Sequence, residues 1–417
     1  MPIDPTILGP FAKGINNRLP DHSMVSPDGV LSRLRHAANV VLDDSGRLSL
    51  RQGFSVKSAV AGAHSGYECA QGILFIVAGE MRMFNPDSGG TTVVTTGLSN
   101  SPMAYVTVNG DVYFSNGENK GKVVAGVYQD WGIAPPPVPP TLIAVAGALP
   151  KGVYQVSLTY ELASGEESGE GRSAQIELSG TQGISISGIP TPPAGIAIVN
   201  VFCTKQNGDT PYIIARLAAG TSSFSFLTAS YAGQQIGTRF MVPPPPGNVL
   251  AYSNGRIFAG YGKVLCYTEP LAYGLYRPTR NFILFPADVK IAVGVADGLY
   301  VVADKTYFLS GSDPDKFSLT PVLPYSGATG SATKSPLEED TWFWYGDKGL
   351  VKAGRGGSVV ELQEPELSLD SGATGATLFM EQDGAKQIVS LTTPGGFSTS
   401  AAAQGFVDME VRRAALV

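Results

Sequence analysis

The stretch GVYQVSLTYE, residues 152–161, alternates apolar and polar positions with a period of two. That is the pattern of a strand with one buried face. The polar run SGEESGEG (164–171) ends it, and AQIELSG, GISISGI, IAIVNVFCTK, PYIIARLA and SSFSFL follow as further short strand candidates. Six or seven strands with a turn about every ten residues predict a β-sandwich of immunoglobulin or fibronectin III type. No helical 3.6-residue period competes with it.

A different unit recurs on either side. GILFIVAGEMRMFNP from Gly72, GDVYFSNGENKGKVV from Gly110, GRIFAGYGKVLCYTEP from Gly255, GLYVVADKTYFLSGSDP from Gly298 and TWFWYGDKGLVKAGRGG from Thr341 share one plan. Each has a turn residue, an apolar strand with an aromatic, a polar turn and a second strand; GAKQIVSLTTPGG from Gly384 is a weaker sixth copy. The starts lie 38, 145, 43, 43 and 43 residues apart, and removing the 112 residues of 135–246 from the long interval leaves 33. A period near forty is that of β-propeller blades. The inserted segment is bracketed by PPPVPP (135–140) and PPPP (243–246), stiff connectors that sit in neither helices nor central strands. The expected organisation is an all-β chain. Residues 1–134 carry an N-terminal segment and the first blades, 135–246 an inserted sandwich, and 247–417 the remaining blades, about six in all.

Composition agrees with this plan. Glycine (51) and proline (30) are abundant among 417 residues, charged residues make up only 15%, and hydrophobic residues reach 43%, as expected for many short strands joined by tight turns rather than for a disordered chain. The net charge of −6 disfavours tight DNA binding and is compatible with a surface that DNA passes without being gripped. Cys69, Cys203 and Cys266 have no CxxC spacing and predict reduced thiols. The opening MPIDPTILGPFAKG lacks a basic start followed by an apolar core, so no cleaved leader is expected. Leu142–Leu149 is too short to cross a bilayer.

Candidate chemistry is sparse. Asp43/Asp44, Asp313/Asp315, His22, His36 and His64 complete no HxxH, HExxH or calcium-loop spacing, and Asp-Ser-Gly and Asp-Pro-Asp are common turn formers. No GxSxG occurs, and the pairs Glu166/Glu167 and Glu338/Glu339 fall in polar turn-like segments, which suit solvation better than acid–base work. AGYGK (259–263) and AGRGGS (353–358) complete no phosphate loop and read as hairpin turns. Trp342, Phe343, Trp344 and Tyr345 alternate faces on a strand and suit inter-blade packing better than a carbohydrate platform. No enzyme activity, cofactor or metal is expected. Arg18, Arg33, Arg35, Arg47 and Arg51 gather positive charge near the N-terminus of an acidic chain. Docking to a partner is favoured over contact with a DNA backbone.

The N-terminal phrases carry a resemblance. GINNRLPDHSM (14–24) and LRHAANVVLDDSGRLSLRQGF (34–54) resemble the opening of tail hub or nozzle proteins of short-tailed phages. The matching positions are Ile15, Asn16, Asn17, Pro20, Asp21, Leu34, Ala37, Asn39, Asp43, Gly46, Leu48, Arg51, Gly53 and Phe54. NGRIFAGYGKVLCYTEPLAYGLYRP (254–278) and DGLYVVADKTYFLSGSDPDKFSL (297–319) are similar to blades of that family, except that YTEP stands where a serine is usual. The last fifty residues align with nothing in it. The resemblance implies a non-catalytic virion component, made in the host cytoplasm. Six copies would form a ring below the portal and adaptor, continuing and closing the DNA ejection channel and anchoring tail fibres or spikes. An immunoglobulin-like insertion between blades also occurs in that family. On the repeat spacing itself, residues 39–54 are expected to supply strands that close the ring of blades against the last one.

Two other readings fit the same residues. One is an adhesion module whose sandwich grips a cell-surface glycan. The other is a propeller enzyme acting on polysaccharide.

Overall fold

The computed structural model describes residues 10–25, 32–35, 37, 40–42, 45–50, 60–363, 366–367, 372–382, 385–393 and 411–412. Among them the chain is all-β, and its helical content is three 3-10 turns. A hairpin of β1 (Val40–Leu42) and β2 (Leu48–Leu50) comes first. The first four-stranded sheet follows, made of β3 (His64–Cys69), β4 (Gly72–Val77), β5 (Glu80–Phe84) and β6 (Thr91–Thr95). The second comprises β7 (Ala104–Val108), β8 (Asp111–Ser115), β9 (Lys120–Val124) and β10 (Val127–Gln129).

The chain then enters two sheets formed by β11 (Thr141–Leu149), β12 (Gly152–Leu162), β13 (Ala174–Leu178), β14 (Gln182–Ser187), β15 (Ile196–Thr204), β16 (Pro211–Ala218) and β17 (Ser223–Phe226). Their strand orders are β11-β14-β17 and β13-β12-β15-β16. Between them lies one core with Tyr154, Val156, Leu158 and Tyr160 of β12, Ile184 and Ile186 of β14, and Val199, Val201 and Cys203 of β15. The period-two pattern of β12 is thus explained, since Val156, Leu158 and Tyr160 all face this core. The opposite positions Ser157 and Thr159 are also buried, and Thr159 donates to Glu167.

Three more four-stranded sheets complete the repeat. They are β18 (Val249–Ser253), β19 (Arg256–Tyr261), β20 (Val264–Tyr267) and β21 (Phe282–Leu284); β22 (Ile291–Val295), β23 (Gly298–Val302), β24 (Thr306–Ser310) and β25 (Ser318–Leu323); and β26 (Thr333–Lys334), β27 (Trp342–Gly346), β28 (Gly349–Ala353) and β29 (Val359–Glu361). A final sheet has β30 (Thr374–Gln382), β31 (Ala385–Thr393) and β32 (Val411–Arg412). Each of the five four-stranded sheets outside the insertion is an antiparallel meander with consecutive strands adjacent, the unit from which propellers are built. Two-residue turns hold the register: Asn109-Gly110 and Asn254-Gly255 both have positive φ at both residues, the geometry that joins twisted strands tightly.

The sheets stack face to face because their second strands are apolar on both faces. In β23, Leu299 and Val301 enter a core shared with Phe258 and Leu265 of the preceding sheet, whereas Tyr300 and Val302 enter a core shared with Trp344 and Val351 of the next. The same division recurs in β8, where Val112 and Phe114 face Leu74 and Ile76 while Tyr113 faces Ile257. In β27, Trp344 packs on Tyr300 at 5.8 Å, and Phe343 joins Leu350 and Ile388. The first strands β7, β18 and β22 touch in series. The sheets are therefore stacked blades, and β7 and β18 pack directly although the insertion separates them in sequence.

The insertion is rooted at this seam. Trp131, fully buried, donates its indole N–H to Tyr273 O at 2.7 Å and meets Tyr113 edge-on at 5.5 Å. The outgoing linker pairs with the third blade through Val242 N to Tyr276 O (2.9 Å) and the return bond of 2.8 Å. Lys120 Nζ donates to Trp131 O (3.1 Å) and to Pro244 O, joining the roots of both proline segments. Lys122 adds an ion pair with Glu166 of the insertion at 3.0 Å.

Leu299, fully buried between two blades, should cost about 2–5 kcal/mol when cut to alanine, whereas Leu284→Ala at an exposed position should stay within about 0.5 kcal/mol. Urea unfolding of the two variants checks this contrast. Burial lowers the Lys120 ammonium to about 8 from the ordinary 10.5, against the opposing pull of Asp130. Between those two pH values the unfolded chain holds a proton that the folded chain has shed, so the contribution of Lys120 to stability rises with pH through that window. Wild type should gain on Lys120→Met in urea midpoint between about pH 7.5 and about pH 10. Comparing the two at each pH cancels the buried tyrosines and thiols, and a constant difference would refute the assignment.

Candidate docking interface

The N-terminal phrase folds into a compact backbone motif. Asn16 N donates to Leu34 O (2.7 Å) and Leu34 N to Gly14 O (2.8 Å), a short parallel bridge between Ile15 and Leu34. Asn16 is buried, and its Oδ1 accepts from the backbone N–H groups of Arg18 (3.0 Å) and Leu19 (2.9 Å). An asparagine suits this place because its short amide replaces a backbone acceptor in a tight turn. Phe11 N binds Gly46 O at 2.9 Å, tying the turn of the β1–β2 hairpin to the same motif.

This motif rests on the chain that follows the fifth blade. Asn17 N donates to Glu366 O (3.1 Å), and Arg33 Nη1 pairs with Glu366 Oε1 at 2.9 Å. Arg33 is only 19% exposed at its side chain. Its charge serves an ion pair within the chain. Arg18, Arg35 and Arg47 are exposed. Arg35 Nη2 donates to Leu19 O at 3.1 Å. Arg51 lies outside the described residues, as do Asp43, Asp44 and His36. The hairpin itself differs from the expected ring closure: among the described residues, β1 and β2 pair with each other and with no blade. Leu50, on β2, is 83% exposed.

The other candidates are taken up by local structure. Glu166 pairs with Lys122, while Glu167 accepts from Thr159 and from Asn200 (3.3 Å), so the two carboxylates serve different partners. Glu338 accepts from Lys352 (2.9 Å), which holds its carboxyl below the usual range; Glu339 lies 3.8 Å from Arg355. Asp313 caps a 3-10 turn. Asp315 accepts from Tyr267 (2.7 Å) and pairs with Arg280, and these contacts lower its pKa. His64 meets Ser65 and Asn100 at 2.9 and 3.1 Å. No group of three or more metal-ligating side chains occurs among the described residues. All three cysteines are free. No helix among the described residues is long and apolar enough to cross a membrane.

No protein-family model matches the chain, and no curated protein does. Among solved structures, Sqt1 of Saccharomyces cerevisiae is 9% identical over 76% of this chain and 74% of its own, with a TM-score of 0.28. Apo AztD of Citrobacter koseri is 11% identical over 79% and 80%, with a TM-score of 0.33. Hsv2 of Kluyveromyces lactis is 8% identical over 77% and 86%, with a TM-score of 0.28. Likenesses at this level assign neither a family nor a function.

Sequence reasoning did not single out Lys120 or Trp131, whose importance depends on partners 124 and 142 positions away. It also passed over Asn116, Glu118, Asn248 and Thr329, which gather at one end of the stack with Tyr261, a residue weighed only as part of a hairpin turn. Their one visible signal was position, because Asn116–Glu118 and Tyr261 fall in the same turn of two aligned repeats.

Arg33→Ala should loosen the N-terminal motif by about 0.5–1 kcal/mol. Limited proteolysis within residues 10–50 should accelerate while the blades keep their urea midpoint. The exchange Arg33→Glu with Glu366→Arg should restore protection; failure of the exchange to do so would show that the pair does not hold the motif.

Proposed function

We propose that the protein is a structural component of a short-tailed phage tail, a hub or nozzle subunit. It would assemble as a ring, most simply of six copies, that continues and closes the DNA channel below the portal and adaptor. In the same reading the blades of 1–134 and 247–417 close into a propeller of about six, with 135–246 inserted between them. The insertion is then an immunoglobulin- or fibronectin III-like sandwich, a reading supported by its central order β12-β15-β16, in which β13 flanks β12 and β14 crosses to the other sheet.

The observation that carries the proposal is the structural use of the phrase resembling phage tail proteins. Asn16, Asn17 and Leu34 build one motif that fastens the beginning of the chain to Glu366 near its end. Residues used this way serve architecture, as a ring subunit requires. A subunit in a closed ring must also be stiff, since small angular errors would prevent closure, and the buried seam at Trp131 and Lys120 ties the sandwich to the blades by several hydrogen bonds. The exposed Arg18, Arg35 and Arg47 are assigned to docking on the neighbour above. Fibres or spikes are further partners, and DNA passes without specific binding.

Electron microscopy of the purified protein, alone and with adaptor, tests this reading. Six-fold rings with an open or plugged pore are expected, at about six times the 43.6 kDa chain mass. A stable monomer that joins no tail intermediate would overturn it. Arg18→Glu with Arg47→Glu should leave folding and ring formation intact but abolish attachment to the adaptor, and normal attachment in that variant would remove the arginines from the interface.

A further inference from the structure

At one end of the blade stack lies a cavity of about 450 Å³. In a four-stranded meander the start of the first strand and the turn between the second and third share one end. The lining follows that rule. Ser101 precedes β7, Asn116 and Glu118 form the β8–β9 turn, Asn248 precedes β18, Tyr261 ends β19 and Thr329 precedes β26. Three separate blades therefore converge on one open mouth, of the size that small-molecule sites commonly have.

We propose that this mouth is a binding site for a neutral carbohydrate, one or two sugar rings at the end of a glycan. Charge narrows the choice first. Among the described lining residues Glu118 is the one carboxylate, and none is a lysine, arginine or histidine. A phosphate or an acidic sugar would meet that carboxylate with no cation to offset the repulsion. A wholly apolar ligand would strand the hydroxyls of Ser101 and Thr329, the amide of Asn248 and the carboxylate of Glu118 without partners. A sugar satisfies both requirements. Its hydroxyls can pair with those four groups, and its C–H face can lie on the Tyr261 ring, which is 59% exposed.

The turn that carries Glu118 and the amide of Asn248 are also held in place before any ligand arrives. Asn116 Oδ1 accepts from the N–H groups of Glu118 (3.1 Å) and Asn119 (2.7 Å), and its Nδ2 donates to Ser99 Oγ at 2.8 Å. These bonds fix the turn that carries Glu118. Asn248 Oδ1 lies 2.1 Å from where a Cβ on Gly117 would stand, so the amide seats directly against that turn. Fixed donors and acceptors reduce the ordering cost of binding.

A lone carboxylate beside an exposed ring could instead hold a quaternary ammonium through the ring face, so choline serves as the contrasting probe. Saturation-transfer NMR on the full chain, with glucose, galactose, mannose and N-acetylglucosamine each at millimolar concentration, should show transfer to the ring protons of at least one sugar. Tyr261→Ala and Asn248→Ala should each weaken that binding about tenfold, about 1.4 kcal/mol, while Tyr261→Phe keeps most of it. Both residues are exposed, and unchanged urea midpoints would confirm that the variants fold. Absence of transfer to all four sugars, binding unaffected by Tyr261→Ala, or binding of choline alone would each overturn the proposal. Ring assembly is read separately by microscopy, so this site and the tail reading stand or fall independently.

Discussion

The fold depends on strands that must be covered on both faces. Leu299 and Tyr300 are neighbours in sequence, yet they belong to different cores, one shared with the preceding blade and one with the next. A single meander of this kind would leave one full face of Leu, Val, Tyr and Phe in water. Each fully buried side chain of that size contributes about 1.5–3 kcal/mol. No blade can collect that stabilisation alone, and stacking in series is what permits every blade to do so. Curvature of the stack follows, since Glu118 of the second blade and Thr329 at the start of the fifth line one cavity.

The seam between the second and third blades carries a second demand. It must bury aromatic surface like any other seam, and it must also release and receive a polypeptide of more than a hundred residues. Trp131 meets both needs, with its ring in the core beside Tyr113 and its N–H spent on Tyr273 O. Lys120 is the costly element. Its ammonium is desolvated, as the lowered pKa records, and two backbone carbonyls compensate it. An amine reaching two loop carbonyls ties the departing and returning segments to one point, which apolar side chains cannot do because they give no direction.

The part of the fold legible in sequence follows from this burial. The repeats beginning at Gly72, Gly110, Gly255, Gly298 and Thr341 coincide with the second and third strands of the blades, where apolar runs are densest. Outer strands such as β6 and β25 are largely exposed, so their composition resembles that of loops and they passed unseen. Residues 142–149, conspicuous only as a short apolar run, form most of β11. Site residues were less legible. Arg33 looked like a surface cation because Glu366, its partner, lies 333 positions away. Glu166 and Glu167 looked like a pair because sequence shows adjacency, but alternating directions along an extended chain send them to Lys122 and to Thr159.

The insertion's attachment also decides how the molecule would carry load. Both proline segments leave from a single seam, and β7 packs on β18 across that seam as if nothing intervened. The sandwich is thus a branch hung beside the blade array. Tension applied to it runs through the two proline segments in parallel and ends at Trp131, Lys120 and the Val242–Tyr276 bonds, so it reaches the one core that Trp131 shares with the second and third blades and leaves the other inter-blade cores outside the load path. A pull strong enough to tear the branch loose would open these few polar anchors first, with the stack of blades still closed behind them.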